Sequence, residues 1–194
     1  MKFENFSFKK VSSTNNVAIN LIKKKKKIAG YVYADKQTKG KGTYGKKWIS
    51  TKGNLFISIF FNLKKNYPSF DEFSIINPVI ISNVIRKFCK KKNISIKWPN
   101  DIFVKRKKIC GILQELITHN NKKFLIIGIG INLVTNPIIK NKYQATNILA
   151  ETKKKIDIKK MINLIIFNYK EFFLNLSNYK YNNFKKKAET MAIK

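Results

Sequence analysis

Ile96-Lys97-Trp98-Pro99-Asn100-Asp101 closes a short β-like run that starts at Ile94, and a second run, Lys108-Ile109-Cys110-Gly111-Ile112-Leu113, follows soon after it. Pro99 stiffens the corner, because its ring fixes the backbone there. An aromatic, an amide and a carboxylate are thereby held at the end of one strand, next to a strand that carries a lysine and a glycine. Working outward, 94–98, 108–117 and 124–131 read as strands, as do Ile28–Ala34 and the alternating stretch Asn54–Phe61. A first helix starts near Ser13-Thr14, whose hydroxyls can cap its free N–H groups, and Val17, Ala18, Leu21 and Ile22 share one helical face. Residues 72–90 form a helix that Pro78 must start or kink. Residues 157–176 form a last amphipathic helix, and 181–194 read as a polar tail. Strands cluster in the middle and helices flank them without strict alternation. This is the pattern of an α+β fold with a mixed, mainly antiparallel sheet flanked by helices, rather than a doubly wound parallel one.

Composition narrows the function. The 194 residues, 44% of them hydrophobic, suit one domain with a single core. The formal charge of +31 suggests a polyanionic partner. However, only Arg86 and Arg106 are arginines, the better forks for phosphate and guanine. The lysines are spread along the chain in runs such as Lys23–Lys27, Lys90–Lys92, Lys153–Lys155 and Lys185–Lys187, and Ile, Lys and Asn together supply nearly half the residues. Their codons are A/T-rich, so genome bias accounts for the charge. Salt-sensitive sticking to polyanions is expected, but no specific DNA partner. Cys89 and Cys110 lack metal or redox spacing, which fits a reducing, cytoplasmic setting. The single histidine, His119, precedes a turn-like Asn120-Asn121 and makes a Ser-His-Asp triad improbable. No apolar signal region opens the chain, and the uncharged run Phe124–Ile139 is too short and too broken for a membrane span.

Three further motifs are weak singly. The loop from Gln37 to Trp48 carries Gly40, Gly42 and Gly45 with Lys41, Lys46 and Lys47; it suits a phosphate or acyl phosphate but lacks P-loop spacing. Gly128-Ile129-Gly130-Ile131-Asn132 ends an apolar strand, and Ser13-Thr14-Asn15 reads first as a helix cap. By themselves Lys108 is a solvated strand end, and Trp48 and Trp98 are core or rim aromatics.

Taken in order, these five elements resemble the catalytic domain of biotin–protein ligases, whose fold is akin to the class II synthetases, over roughly residues 7–180. The Lys-Trp-Pro-Asn-Asp corner and the Lys-x-x-Gly-Ile-Leu strand are the specific parts. The resemblance implies ATP-dependent activation of biotin to biotinyl-5'-AMP, with Mg²⁺, and transfer to a lysine of a biotin carboxyl carrier protein. Ser13, Thr14 and Asn15 would then line the ureido end of biotin. Gln37, Gly40, Lys41, Gly42 and Thr43 would hold the ring and carboxylate, Trp48 would cover the pocket, and Gly111 would leave room for biotin. Lys41, Lys46, Trp98, Asn100, Asp101 and Asn132 would serve the nucleotide, with Asp101 toward the metal, and Lys108 would be the catalytic residue touching both the biotin carboxylate and the α-phosphate.

The chain also departs from the family. Its loop usually carries two arginines, where Lys41 and Thr43 stand here. That loses the bidentate fork at one position and the charge at the other, which implies weaker retention of the adenylate. About a dozen residues precede Ser13, so no DNA-binding repressor domain is expected, and a C-terminal β-barrel domain is expected to be absent or truncated. A monomer or weak homodimer is expected, since the charge opposes self-association. The rival readings are a lipoate or octanoate protein ligase of the same fold, a basic nucleic-acid-binding module, and a degenerate non-catalytic relative.

Overall fold

The computed structural model describes residues 1–89, 93–137 and 144–193. The Lys90–Lys92 run, the last residues of the Phe124–Ile139 stretch and Lys194 lie outside them. Among the described residues, seven strands form one sheet: β1 (Glu4–Val11), β2 (Ala29–Gln37), β3 (Leu55–Asn62), β4 (Ile94–Lys97), β5 (Asp101–Val104), β6 (Lys107–His119) and β7 (Lys122–Ile131). Their spatial order is β1-β2-β3-β7-β6-β5-β4. Only β1 and β2 run parallel; every other neighbouring pair is antiparallel. Five α-helices accompany them: α1 (Thr14–Lys25), α2 (Phe70–Phe88), α3 (Ile148–Thr152), α4 (Ile158–Leu174) and α5 (Tyr181–Met191). The fold is the expected α+β arrangement. Two tight turns build its antiparallel half: Lys105-Arg106 joins β5 to β6 and Asn120-Asn121 joins β6 to β7, all four residues with positive φ. That is the twist a two-residue hairpin turn demands.

The two faces of the sheet differ. Ile57, Ile59 and Phe61 of β3 and Leu125 and Ile127 of β7 meet Phe73, Ile76 and Val84 of α2 and Met161, Ile165 and Phe173 of α4 in the main core. The alternate positions Phe60, Phe124 and Ile126 meet Ala18 and Ile22 of α1, a helix that covers only part of its face. Beyond the N-terminus of α1 this face is open, and the cleft described below lies there. The alternation read in Asn54–Phe61 gives way to burial of both faces, because β3 is central and lies between α1 and the α2–α4 layer.

Several elements differ from the sequence reading. α2 begins at a capping box, in which Ser69 Oγ accepts from Glu72 N and Glu72 Oε2 accepts from Ser69 N; Pro78 sits inside the helix rather than at its start. Ser13 occupies the cap position of α1 but makes no side-chain cap bond. Strands β1 and β5 and helix α3 are additional. The stretch 181–194, read as a polar tail, carries α5. Ala188 and Met191 pack with Val79 and Ile96, and Ile193 N donates to Ile96 O, covering the outer edge of β4. Phe184, Ala188 and Met191 form a narrow apolar stripe among lysines, enough to dock a helix but too sparse to announce one. Among the described residues, no helix is long and apolar enough to cross a membrane.

Candidate active site

A bulge decides where Lys108 points. β5 and β6 pair Asp101 with Gly111 and Ile102 with Cys110, but then Phe103 with Lys108, leaving Ile109 as an extra residue. Ile109 and Cys110 therefore both enter the main core, and Lys108 turns to the cleft face beside Asp101 and Gly111. There Lys108 Nζ lies 2.7 Å from Asp101 Oδ2 and 5.5 Å from the centre of the Trp48 ring. Lys108 is 9% exposed. Its backbone is clamped as well: its N–H donates to Gln144 O and its carbonyl accepts from Thr146 N. Asp101 Oδ1 is buried and has no hydrogen-bond partner among the described residues.

The floor of the cleft is glycine and tryptophan. A Cβ on Gly111 would come within 2.6 Å of the Trp48 ring, and one on Gly130 would collide with the same indole. Trp48 lies against Gly111 as well as Gly130, its flat ring across both bare Cα atoms. Trp48 Nε1 is buried with no partner among the described residues.

The polar end is a row of hydrogen bonds. Thr14 N and Oγ1 both donate to Gln37 Oε1, at 2.8 and 3.1 Å, and Gln37 Nε2 donates to Ser50 Oγ at 3.0 Å. Ser58 Oγ reaches Thr14 Oγ1 at 2.7 Å and also Asn15 Oδ1, and Asn15 Nδ2 donates to Glu115 Oε2. Ser13, Thr14 and Asn15 are all buried. Their position follows from the start of α1 meeting β3 and β7 where the apolar face ends.

Opposite, Asn100 accepts from Ile112 N through its backbone and donates to Ile112 O through its side chain, which fixes the Trp98-Pro99-Asn100 corner against β6. Asn100 Nδ2 lies 3.5 Å from Thr43 Oγ1 on the glycine loop. Asn132 is held by its Nδ2 donating to Thr146 O. Asn54 supports it from behind: its Oδ1 accepts from the N–H groups of Leu133, Val134 and Thr135. The loop itself is a small closed hairpin, with Gly42 N donating to Lys46 O and Trp48 N donating to Gly40 O. Tyr44 at its tip has φ 55° and is 87% exposed.

These parts enclose a cleft of about 840 Å³. Ser13, Thr14, Asn15, Gln37, Lys41, Gly42, Thr43, Lys46, Trp48, Trp98, Asn100, Asp101, Lys108, Gly111 and Asn132 all line it. Gly40 does not: a Cβ there would meet Ser50 Oγ at 2.7 Å, so it serves the base of the loop, not the wall. Lys47 and Lys97 also line the cleft, so five lysines with Lys41, Lys46 and Lys108 face one carboxylate, Asp101. Such a cleft favours anionic ligands. Phe56, Ser58, Ser50 and Asn54 escaped the sequence reading, and Glu115, which closes the Lys-x-x-Gly-Ile-Leu-x-Glu run from Lys108, had no role in it. Only Glu115 had a signal, its even spacing from Gly111 along one strand face.

The comparisons agree with this geometry. Residues 7–132 match the biotin/lipoate A/B protein ligase family. The chain belongs to that family. It is 32% identical over 125 residues to the bifunctional ligase/repressor BirA of Escherichia coli (strain K12), a match that covers 63% of this chain but 38% of that protein. The chain thus spans well under half the length of such relatives. The biotin protein ligase of Aquifex aeolicus, solved in complex with biotin and ATP, superposes with a TM-score of 0.82 at 28% identity, covering 98% of this chain and 78% of that one. The biotin protein ligase of Leishmania major in complex with biotinyl-5-AMP gives a TM-score of 0.79 at 25% identity, covering 100% and 83%.

Proposed function

We propose that the chain activates biotin with ATP to biotinyl-5'-AMP and passes the acyl group to a lysine of a biotin carboxyl carrier protein. The observation that carries this reading is the convergence of Lys108 and Asp101, 2.7 Å apart, with the lysine-bearing glycine loop on one cleft. Attack of a carboxylate on the α-phosphate brings two anions together. Lys108 neutralises the charge that accumulates between them, and its clamped backbone holds it where the charge develops. That step moves no proton from a side chain, so the absence of a histidine from the cleft lining is no obstacle. The loop hairpin would shield the adenylate from water until an acceptor amine attacks its acyl carbon, forming an amide and releasing AMP. The residues roles of the polar row follow the same reading: Ser13, Thr14, Asn15 and Gln37 offer hydrogen-bonding groups to a ureido head, which a lipoate ring could not use.

The cleft fits Mg²⁺ at Asp101, whose Oδ1 is buried and unpartnered among the described residues. Among those residues no group of three or more His, Cys, Asp or Glu could hold a metal by itself, so phosphate and water would complete its ligands. Bound there, the ion would screen the phosphate oxygens. The buried thiols of Cys89 and Cys110 support a cytoplasmic setting. The test is mass spectrometry of a carrier domain incubated with the protein, ATP, Mg²⁺ and biotin. The expected result is the mass gain of one biotinyl group, lost in Lys108→Ala. A gain with lipoate in place of biotin, or undiminished labelling by Lys108→Ala, would refute the assignment.

A further inference from the structure

We infer that Glu115 is a positioning residue that governs both the glycine loop, through Lys41, and the polar end of the cleft, through Asn15; this rests on the reading just proposed. Glu115 lies on β6 with the parity of Gly111, so it emerges on the cleft face yet stands behind the wall and outside the lining. Its Oε2 accepts from Asn15 Nδ2 at 2.5 Å, and its Oε1 lies 3.9 Å from Lys41 Nζ.

The first contact sets a polarity. A carboxylate only accepts, so Asn15 must turn its Nδ2 toward Glu115 and its Oδ1 toward Ser58. Asn15 is 3% exposed and lies against the bare Cα of Gly128. The direction carries as far as Ser58, whose single hydroxyl proton goes to Asn15 Oδ1; the Gln37 amide is oriented separately, by the Thr14 backbone N–H at its Oε1. One carboxylate therefore orders Asn15 and Ser58 at the polar end by hydrogen bonds and meets the loop through the Lys41 charge. The second contact is weak by design of its exposure: the Glu115 and Lys41 side chains are 28% and 42% exposed. A pair of that kind shifts a loop population by about fivefold or less. It holds the loop in register without locking Lys41 away from an anionic ligand.

The test compares Glu115→Gln, Lys41→Met and the double variant with the parent. Pyrophosphate release gives kcat and KM for biotin, and filter retention gives the escape rate of preformed biotinyl-adenylate. Glu115→Gln, nearly isosteric, is expected to raise KM and escape about three- to fivefold, with the change falling on these rather than on kcat, and with Tm held. In the Lys41→Met background the same substitution should change escape less than it does alone. Unaltered KM and escape, a parallel fall of kcat and Tm, or fully additive effects in the double variant would overturn the inference. A parent that releases no pyrophosphate from biotin and ATP overturns the functional reading and this inference together, whereas a competent parent with an indifferent Glu115→Gln overturns only the latter.

Discussion

Replacing Lys108 by Met should destabilise the protein as well as silence it, and the two effects can be separated. Lys108 and Asp101 are 2.7 Å apart, with side chains only 11% and 18% exposed. Removing one member of a fully buried pair costs about 3–5 kcal/mol, because the other charge stays buried without compensation; breaking an exposed pair costs about 0–1 kcal/mol. The residual exposure here, and the other cleft lysines, place the expectation between these limits, at about 2–3 kcal/mol. For a domain of this size that lowers Tm by about 4–12 °C. Lys108→Met/Asp101→Asn removes both charges and should recover most of the loss, ending within about 1 kcal/mol of the parent. Activity should not return in the double variant, since neither the neutralising cation nor the carboxylate is restored. Thermal melts followed by circular dichroism, paired with pyrophosphate release, read both quantities. If the single variant melted with the parent, or the double variant melted as low as the single, the two groups would not be coupled as argued.

Two other expectations follow from buried groups away from the cleft. Tyr169 is fully buried and donates to Asn77 Oδ1 at 2.9 Å, and burial pushes its ionisation above the usual phenol range. The folded state then keeps a proton that the unfolded state releases above about pH 10, so stability falls as pH rises through that point. Tyr169→Phe should be about 1 kcal/mol less stable at pH 8, yet lose less between pH 8 and pH 11 in urea titrations; equal losses would discard the argument. In α5, Ala188→Asp puts a charge at a site 1% exposed and should destabilise by about 3 kcal/mol or more, while exposed Lys186→Asp stays within about 0.5 kcal/mol. Equal urea midpoints for the two would return 181–194 to the status of a loose tail.

Much of the architecture was legible because local pattern and final environment agree. The strands at 94–97, 107–119 and 122–131 are rich in Ile and Leu and bounded by turn residues, and α1, α2 and α4 show three- and four-residue apolar spacing. β1 was not legible: Lys9 and Lys10 put one lysine on each of its faces, and only its pairing with β2 makes it a strand. α5 depends in the same way on a groove built from α2 and β4.

For the cleft, the chain's own order determined which chemistry is present: an amide and a carboxylate after a proline corner, a lysine three residues before a glycine, and a glycine loop with lysines. Tertiary structure alone decided how these groups meet. The extra residue at Ile109 turns Lys108 onto the face of Asp101, and strict alternation counted back from Gly111 would have put it on the other side. The indole of Trp48 fills the space above Gly111 and Gly130, and Glu115 ties Asn15 to Lys41 across a long stretch of chain. Periodicity is a property of neighbours in sequence. The face a bulge selects, and the partner a buried amide finds, are set by which strands lie side by side.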